Sequence, residues 1–327
     1  MNASAPSADS LRAALAGLLD GLPPSQAARA VERLIANYRG TTPTDAPVLR
    51  DRSDVAAYAA YRMPATFEAV RGALGALRDA APEWAPATHA DVGGGTGAAS
   101  WAVAEAWAEA PPRTTVTDWA EPALALGREL AKGAFDAEWR RERIGTALRL
   151  PDTDLVTVSY VLKELTEADR ATLVAETARA AQAVVIVEPG TPDGYERIIA
   201  ARTRLVDAGF TVAAPCPHSG ACPIAPGTDW CHFSARVSRS SLHRQVKGGS
   251  LPYEDEKYAY VAAARFPVTP AVSRITRRPQ IRKGLVQFDV CGPDGLGRET
   301  VTKRHGSLYK QARDAEWGDS WPPADED

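Results

Sequence analysis

The sequence predicts a doubly wound α/β domain, in which helices cover both faces of a mostly parallel sheet. Short apolar runs alternate with helical stretches over residues 88–214, as in successive βαβ units. The chain has 327 residues, 45% of them hydrophobic and 24% charged, which excludes fibrous and disordered classes. Its apolar runs are shorter than the roughly 20 residues that span a bilayer, and its start lacks a signal-peptide pattern. We therefore expect a cytoplasmic protein without a membrane partner.

The predicted body lies between a helical cap and a β-rich appendage. Residues 1–80 form the cap, with helices expected at 11–22, 25–40 and about 55–77. Residues 81–214 plus 257–266 form the body. Residues 215–256 are rich in Pro, Gly, Ser and Cys and show no helical or strand periodicity. So long a loop is usually organised by something other than a hydrophobic core, and we predict a metal-binding insertion here. Residues 267–327 form a small basic β-rich appendage with an acidic tail.

The individual helices and strands are predicted from the hydrophobic periodicity and from the Gly and Pro residues that end each element. Strands of the body are expected at 88–92, 113–118, 154–161 and 183–189, separated by helices at 99–110, 122–132, 167–181 and 195–208. Strands of the appendage are expected at 272–277, 284–291 and 299–304, before a helix at 307–317.

Charge is unevenly distributed, although the net charge is only −3. Residues 1–231 carry 22 basic and 29 acidic side chains, whereas residues 232–313 carry 16 and 6. A basic region on an acidic body predicts a polyanionic partner, although a solvated basic face has the same composition. Arginine suits phosphate because its planar fork binds two oxygens, so we expect salt-sensitive binding to structured RNA. The candidate RNA-binding residues are Arg274, Arg277, Arg278, Arg282, Lys283, Lys303 and Arg304.

A glycine-rich turn, Asp91-Val-Gly-Gly-Gly-Thr-Gly97, follows the first predicted strand and opens a helix. Glycines there let the backbone turn tightly and approach a ligand. The missing Gly-Lys-Ser/Thr ending excludes a P-loop, but Gly93, Gly95 and Ala98 also have dinucleotide spacing. Asp118 ends the next strand, where its carboxylate can accept both ribose hydroxyls of either cofactor.

Downstream segments decide between the cofactors. Residues 150–156 and 161–165 resemble the fourth-strand signature of class I methyltransferases and favour S-adenosylmethionine (SAM) over NAD. The predicted cofactor residues are Asp91, Gly93, Gly95, Gly97 and Asp118. Thr146 stands where such enzymes usually carry an acid for the adenine amine, which weakens binding by about 1.5–3 kcal/mol unless Asp152 or Asp154 substitutes.

The segments after the fourth and fifth strands carry neither of two familiar catalytic features. Ser159-Tyr160-Val161 replaces the Asn/Asp-Pro-Pro-aromatic turn of amine methyltransferases, and Val187-Glu188-Pro189 brings no cysteine nucleophile. Oxygen methylation and a fold without catalysis are both open, and the catalytic residues are unknown.

The four cysteines, Cys216, Cys222, Cys231 and Cys291, all lie in the second half of the chain. Clustered cysteines in a cytosolic protein bind metal or react more often than they form disulfides. They lack the Cys-x2-Cys spacing of most structural zinc sites, and wide spacing on loops suits a cubane iron–sulfur cluster. Zinc is the alternative, because His218 and His232 are close in sequence and could complete a zinc site.

Several segments together resemble the mitochondrial small-ribosomal-subunit methyltransferase-like family and its bacterial relatives. The resemblance covers roughly residues 55–321. It is carried by the glycine turn, Glu188-Pro-Gly-Thr-Pro192, Ala214-Pro-Cys-Pro-His218, Asp229-Trp-Cys-His-Phe233, Leu251-Pro-Tyr-Glu-Asp-Glu-Lys257 and Lys303-Arg-His305.

The resemblance implies a 4Fe–4S cluster on the four cysteines and association with small-subunit ribosomal RNA or a pre-ribosomal particle. It also implies a SAM-binding sequence without settling methyl transfer. We therefore expect a methyltransferase-like factor in small-subunit assembly or modification and in translation. The alternatives are an active O-methyltransferase with a structural metal site and a zinc-stabilised RNA-binding module without catalysis.

Overall fold

The chain alternates strands and helices as its periodicity predicts. The computed structural model describes residues 6–18, 25, 28–29, 31–32, 52–240, 244 and 251–323. The helices are α1 (Ala8–Leu18), α2 (Arg52–Ala80), α3 (Ala98–Ala106), α4 (Glu121–Ala131), α5 (Glu167–Ala180), α6 (Pro192–Asp207) and α7 (Ser307–Asp314), with 3-10 turns at Leu162–Glu164 and Lys303–His305.

The strands are distributed over two sheets. They are β1 (Thr88–Val92), β2 (Arg113–Asp118), β3 (Ala137–Arg141), β4 (Thr153–Ser159), β5 (Ala181–Pro189), β6 (Thr211–Ala214), β7 (Phe233–Ser238), β8 (Tyr253–Ala264), β9 (Ser273–Ile275), β10 (Gln280–Arg282), β11 (Leu285–Gly292), β12 (Gly295–Thr302) and β13 (Ser320–Trp321).

The large sheet has the order β3-β2-β1-β4-β5-β8-β6, with β7 on β8. Strands β1 to β5 run parallel, and β8 runs antiparallel to β5, β6 and β7. Helices bury the apolar run of β5 on both faces of this sheet. This is the doubly wound, Rossmann-like class I methyltransferase fold that the sequence predicts.

Two apolar clusters lie on opposite faces of the large sheet. Phe67 and Leu74 of α2 pack with Trp101 of α3 on one face. Leu173 of α5 and Leu205 of α6 pack on the other face. Helix α2 therefore belongs to the core, and it continues through Pro64. The predicted helix at 25–40 lies mostly outside the described residues.

The smaller sheet, β10-β11-β9-β13 with β12 on β11, has its own core. Phe288 and Trp321 are buried there with ring centroids 4.5 Å apart. Strand β7 and the first residues of β8 lie within 215–256, so that region contributes two strands to the large sheet. In the part of the chain that is described, no helix is both long and apolar enough to cross a membrane.

Candidate functional site

The glycine turn follows β1 at the carboxyl edge of the large sheet. Gly93, Gly95 and Gly97 have φ values of 70°, 54° and 82°, a region that disfavours side chains. A Cβ atom added to Gly94 would lie 2.7 Å from the Asp91 carboxyl group. The turn therefore requires glycine for both conformation and space.

Asp91 lies beneath this turn, close to Gly94. It is fully buried, and its carboxylate accepts hydrogen bonds from the Ser100 hydroxyl at 2.8 Å and the Thr157 hydroxyl at 3.0 Å. Burial raises the pKa of Asp91 to about 6, against the opposing effect of these hydrogen bonds. Asp91 consequently connects the end of β1 to the start of α3 and to β4 from within the protein. Its predicted role in cofactor binding stays a prediction.

Asp118 ends β2 next to the turn. Its carboxylate accepts a hydrogen bond from the backbone N–H of Gly95 at 2.9 Å and another from Ala120 at 2.8 Å. Burial raises the pKa of Asp118, and these hydrogen bonds oppose the shift. The backbone thus holds a partly exposed carboxylate beside the turn, where ribose hydroxyls can reach it.

Two acids that the sequence did not single out as site residues, Glu164 and Glu188, lie close to one another near Asp118's side of the sheet edge. The exposed Glu164 is partly desolvated by the surrounding protein, and this desolvation, followed by repulsion from Asp118 and Glu188, raises its pKa to about 7. Glu188 is fully buried, accepts from Arg197 at 2.6 Å and accepts from the Leu162 backbone at 3.0 Å. Arg197 therefore compensates the charge of Glu188, and of these three acids Asp118 and Glu164 have solvent-accessible side chains near the glycine turn.

A polar cluster lies at the carboxyl end of β4, on the same edge of the large sheet as the glycine turn. The hydroxyl of Tyr160 donates to Glu256 at 3.0 Å, and Glu256 pairs with Arg62 at 3.0 Å. Tyr160 has φ 59° and is the one non-glycine residue with positive φ in the described ranges. Burial and the charge of Glu256 raise its pKa, which keeps the phenol protonated as a donor. Arg62 was not predicted as part of this cluster, because the sequence around it in α2 contains no pattern that indicates its ion pair with Glu256.

The groups proposed to replace the missing adenine-binding acid are engaged elsewhere. Asp154 accepts from the backbone N–H groups of Ala87 and Thr88, both at 2.9 Å, and so fixes the start of β1. Asp152 lies 3.4 Å from Arg179. Thr146 is exposed. The structure therefore shows no substitute carboxylate among these residues.

The four cysteines meet at a second site, between the two sheets. Cys216, Cys222 and Cys231 come from the segment between β6 and β7, and Cys291 comes from β11. All four line one small cavity of about 30 Å³. The cavity thus brings together cysteines that are up to 75 positions apart in sequence.

The donor set at this cavity consists of thiols. Burial, then repulsion from Cys216 and Cys222, raises the pKa of Cys291 to about 11, and burial also raises the pKa values of Cys216 and Cys231. Neither His218 nor His232 lines the cavity. Among the described residues, no group of three or more His, Cys, Asp or Glu is arranged to hold a single metal ion. Four thiols therefore line the cavity, and thiols are the donor groups that iron–sulfur clusters use.

Two of the predicted RNA-binding arginines lie at the cysteine site. Arg274 is 5% exposed and donates to the carbonyls of Pro215 at 3.1 Å and Gly318 at 2.9 Å. Arg277 pairs with Asp229 at 2.5 Å, close to Cys231. Burial therefore removes Arg274 from any RNA-binding surface, and ion pairing limits Arg277.

The remaining basic candidates are exposed, and four of them lie together. Arg282 ends β10, and Lys283 lies in the turn of the β10–β11 hairpin. In that turn the Gly284 carbonyl accepts a hydrogen bond from the Lys303 backbone at 3.2 Å. Arg304 follows in the adjacent 3-10 turn. We call Arg282, Lys283, Lys303 and Arg304 the basic edge. Arg278 is exposed before β10, near Lys257.

Sequence comparison identifies one matching family. The family described as "Mitochondrial small ribosomal subunit Rsm22" matches residues 52–322. The human "Ribosome assembly protein METTL17, mitochondrial" is 29% identical over 81% of this chain and 62% of its own length. The "Rsm22-cox11 tandem protein 2, mitochondrial" of Schizosaccharomyces pombe is 30% identical over 42% of this chain and 24% of its own length. The chain thus spans less than two thirds of these relatives.

Among solved structures, the chain resembles the magnesium protoporphyrin IX methyltransferase of Synechocystis with bound SAH. The TM-score is 0.39 with 16% identity over 62% of this chain and 83% of that chain. The cytoplasmic localisation predicted from the sequence is wrong, because the matching family and the curated relatives are described as mitochondrial.

Proposed function

The chain belongs to the family described as mitochondrial small ribosomal subunit Rsm22, and we propose that it is an RNA-binding factor in small-ribosomal-subunit assembly. The name of the human relative, a ribosome assembly protein, supports this role. In this proposal the methyltransferase-like body binds SAM, the four cysteines hold an iron–sulfur cluster, and the small sheet contacts ribosomal RNA.

The observation that carries RNA binding is the basic edge. It joins two turns that are about 20 positions apart in sequence, and all four side chains are exposed. Phosphate contacts from exposed Arg and Lys dominate affinity for nucleic acids and depend strongly on salt. Arg278 extends this positive surface from the opposite end of β10.

The SAM proposal rests on the glycine turn and the acids around it. Gly93, Gly95 and Gly97 expose backbone beside Asp118, whose carboxylate is oriented for the ribose hydroxyls. Glu164 adds negative charge near a ligand whose sulfonium and ammonium groups are positive. These residues would bind and orient the cofactor.

The cluster proposal rests on the convergence of Cys216, Cys222, Cys231 and Cys291 at one cavity. A bound 4Fe–4S cluster would supply an inorganic core that joins the thiols of the β6–β7 segment to the thiol of β11, and the core with its four thiolates would carry net negative charge. The protein would hold the two sheets in a fixed relation through these four ligands.

The basic edge can be tested by charge reversal in the full chain. Lys283→Glu plus Lys303→Glu should weaken binding to a transcript of small-subunit ribosomal RNA and lower the salt slope of log K by roughly 1.5, because about two phosphate contacts are lost. The matched control is Arg113→Glu plus Lys132→Glu, which makes the same charge change at exposed positions of the large-sheet body.

Filter binding over a series of salt concentrations measures both quantities. The control should bind RNA with nearly the affinity and slope of the unsubstituted protein. Equal losses in both double variants would assign the effect to net charge, and an unchanged slope in the first would refute the basic edge as the RNA-binding surface.

A further inference from the structure

One face of α6 forms a wall of the cysteine cavity. Tyr195, Ile198, Ile199 and Arg202 all line it, and their spacing of three and four residues places them on the same side of a helix. Two of these four side chains are polar. The polar pair therefore faces a cavity whose other contributors are mainly thiols and apolar groups.

Arg202 is unusual among the arginines of the described chain. It is 4% exposed, and one terminal nitrogen, Nη2, donates to the carbonyls of His218 at 2.8 Å and Gly220 at 2.7 Å. Its Nε is buried without a hydrogen-bond partner. A buried N–H without a partner is costly, so the surroundings of this guanidinium matter. Arg202 lies beside Cys216: burial raises the pKa of that thiol, and the charge of Arg202 and a side-chain hydrogen bond from it oppose the shift.

The second polar group contacts a thiol directly. The hydroxyl oxygen of Tyr195 lies 3.2 Å from Sγ of Cys222. When Cys222 is a thiolate, it can only accept, so the phenol is then the donor. No Asp or Glu lines the cavity in the described chain, whereas Arg274 lines it as a second buried cation.

We propose that Arg202 and Tyr195 are positioning residues for the four-cysteine centre, Arg202 as charge compensation beside Cys216 and Tyr195 as a hydrogen-bond donor to Cys222. This inference rests on the proposed cluster. Four thiolates around an iron–sulfur core carry net negative charge, and a reduced core carries one charge more. Positive charge and hydrogen bonds to sulfur stabilise the more negative state, so both residues raise the reduction potential.

The experiment compares full-length variants purified without oxygen. Arg202→Gln removes the charge, Arg202→Lys keeps it, and Tyr195→Phe removes only the hydroxyl. Arg204→Gln is the matched control, because Arg204 is exposed and lies two residues away on the same helix. Iron and acid-labile sulfide are measured for each protein, and the midpoint potential is then determined by a redox titration that follows visible absorbance.

We expect lower potentials in Arg202→Gln and Tyr195→Phe, a potential in Arg202→Lys nearer to that of the unsubstituted protein, and no change in Arg204→Gln. Iron should also leave Arg202→Gln several-fold faster on exposure to a chelator. A purely structural role for Arg202 would reduce cluster loading without shifting the potential of the clusters that remain.

The outcomes separate this inference from the proposed function. Unsubstituted protein without iron and sulfide refutes the cluster, and this inference with it, before any variant is made. Loaded variants with unchanged potentials overturn the roles of Arg202 and Tyr195 while the cluster stands. If Arg202→Gln does not fold, Tyr195→Phe decides, because it retains the ring packing and an unchanged potential refutes the proposal.

Discussion

Tyr160 and Glu256 are 96 positions apart in sequence, yet the phenol of one donates to the carboxylate of the other at 3.0 Å. The same carboxylate pairs with Arg62, whose guanidinium carbon lies 5.1 Å from the centroid of the Tyr160 ring. The contact links α2, the end of β4 and the start of β8 at the carboxyl edge of the large sheet. Residues from three separate elements are therefore tied together on the edge that also carries the glycine turn.

Removal of Glu256 should destabilise the protein through Arg62. Glu256→Ala leaves a partly buried guanidinium without its partner and should lower the free energy of unfolding by about 2 kcal/mol. Tyr160→Phe removes one hydrogen bond and should cost about 1 kcal/mol. Denaturant unfolding measures both, and equal stability of Glu256→Ala and the exposed-site control Glu167→Ala would contradict the assignment.

Asp118→Ala should weaken SAM binding about 100-fold, because two hydrogen bonds to a charged acceptor are lost at about 1.5 kcal/mol each. Isothermal titration with SAM measures the loss. Asp193→Ala removes an exposed carboxylate at the start of α6 and serves as control. An Asp118→Ala protein that melts normally and binds SAM with unchanged affinity would exclude Asp118 from the site.

The affinity for SAM should rise with pH through about 7. The pKa of Glu164 is raised to about 7, so this carboxylate becomes negative in that range and attracts a cationic ligand. Titrations at pH 6 and pH 8 should differ for the unsubstituted protein and differ less for Glu164→Gln. Glu167→Gln changes an exposed neighbour and should retain the difference in SAM affinity between the two pH values. If the Glu167→Gln protein lost that difference instead, a general charge effect would explain the pH dependence.

The same group makes stability depend on pH in the absence of ligand. The ordinary pKa of Glu164 is 4.5, so between about 4.5 and 7 the folded protein holds a proton that the unfolded chain has released. Stability from this group is therefore lost as pH rises through that window. Glu164→Gln should flatten the dependence in thermal unfolding measured from pH 5 to pH 8, whereas an unchanged profile would place the titration elsewhere.

Loss of Cys291 should loosen the smaller sheet. Cys291 is the one proposed ligand on β11, and a bound group closes a loop of 60 positions from Cys231. Cys291→Ser should bleach visible absorbance and expose residues after β8 to proteolysis, whereas Thr300→Ser on the adjacent strand should do neither. Anaerobically purified protein with one zinc and no iron would contradict the cluster.

The elements that the sequence predicted well are those with strong local signals. The apolar run of β5 and the glycines after β1 each carry their own evidence of burial or tight turning. Strand β3 was missed because Ala137–Arg141 is a mostly polar edge strand, with little buried surface to produce a pattern.

The role of a site residue was harder to predict where it depends on the pairing of segments that are far apart in sequence. Arg274 has the same local surroundings as the exposed basic residues, but the pairing of β9 with β11 sets it opposite Cys291 and buries it. Arg62 meets Glu256 across 194 positions, so no local pattern in α2 could indicate the ion pair. In both cases the topology of the sheets assigns the function of the side chain.

The cavity that the cysteines line is built from distant parts of the chain. It therefore cannot be transferred to another protein as one short segment. Three of its thiols lie within 16 consecutive residues, but Tyr260 of β8, Arg202 of α6 and Arg274 of β9 complete its lining. A graft of residues 215–232 into another scaffold would carry three thiols without those cations and without the fourth sulfur. Engineers who wish to transfer this centre would therefore have to move both sheets and the helix between them as one unit.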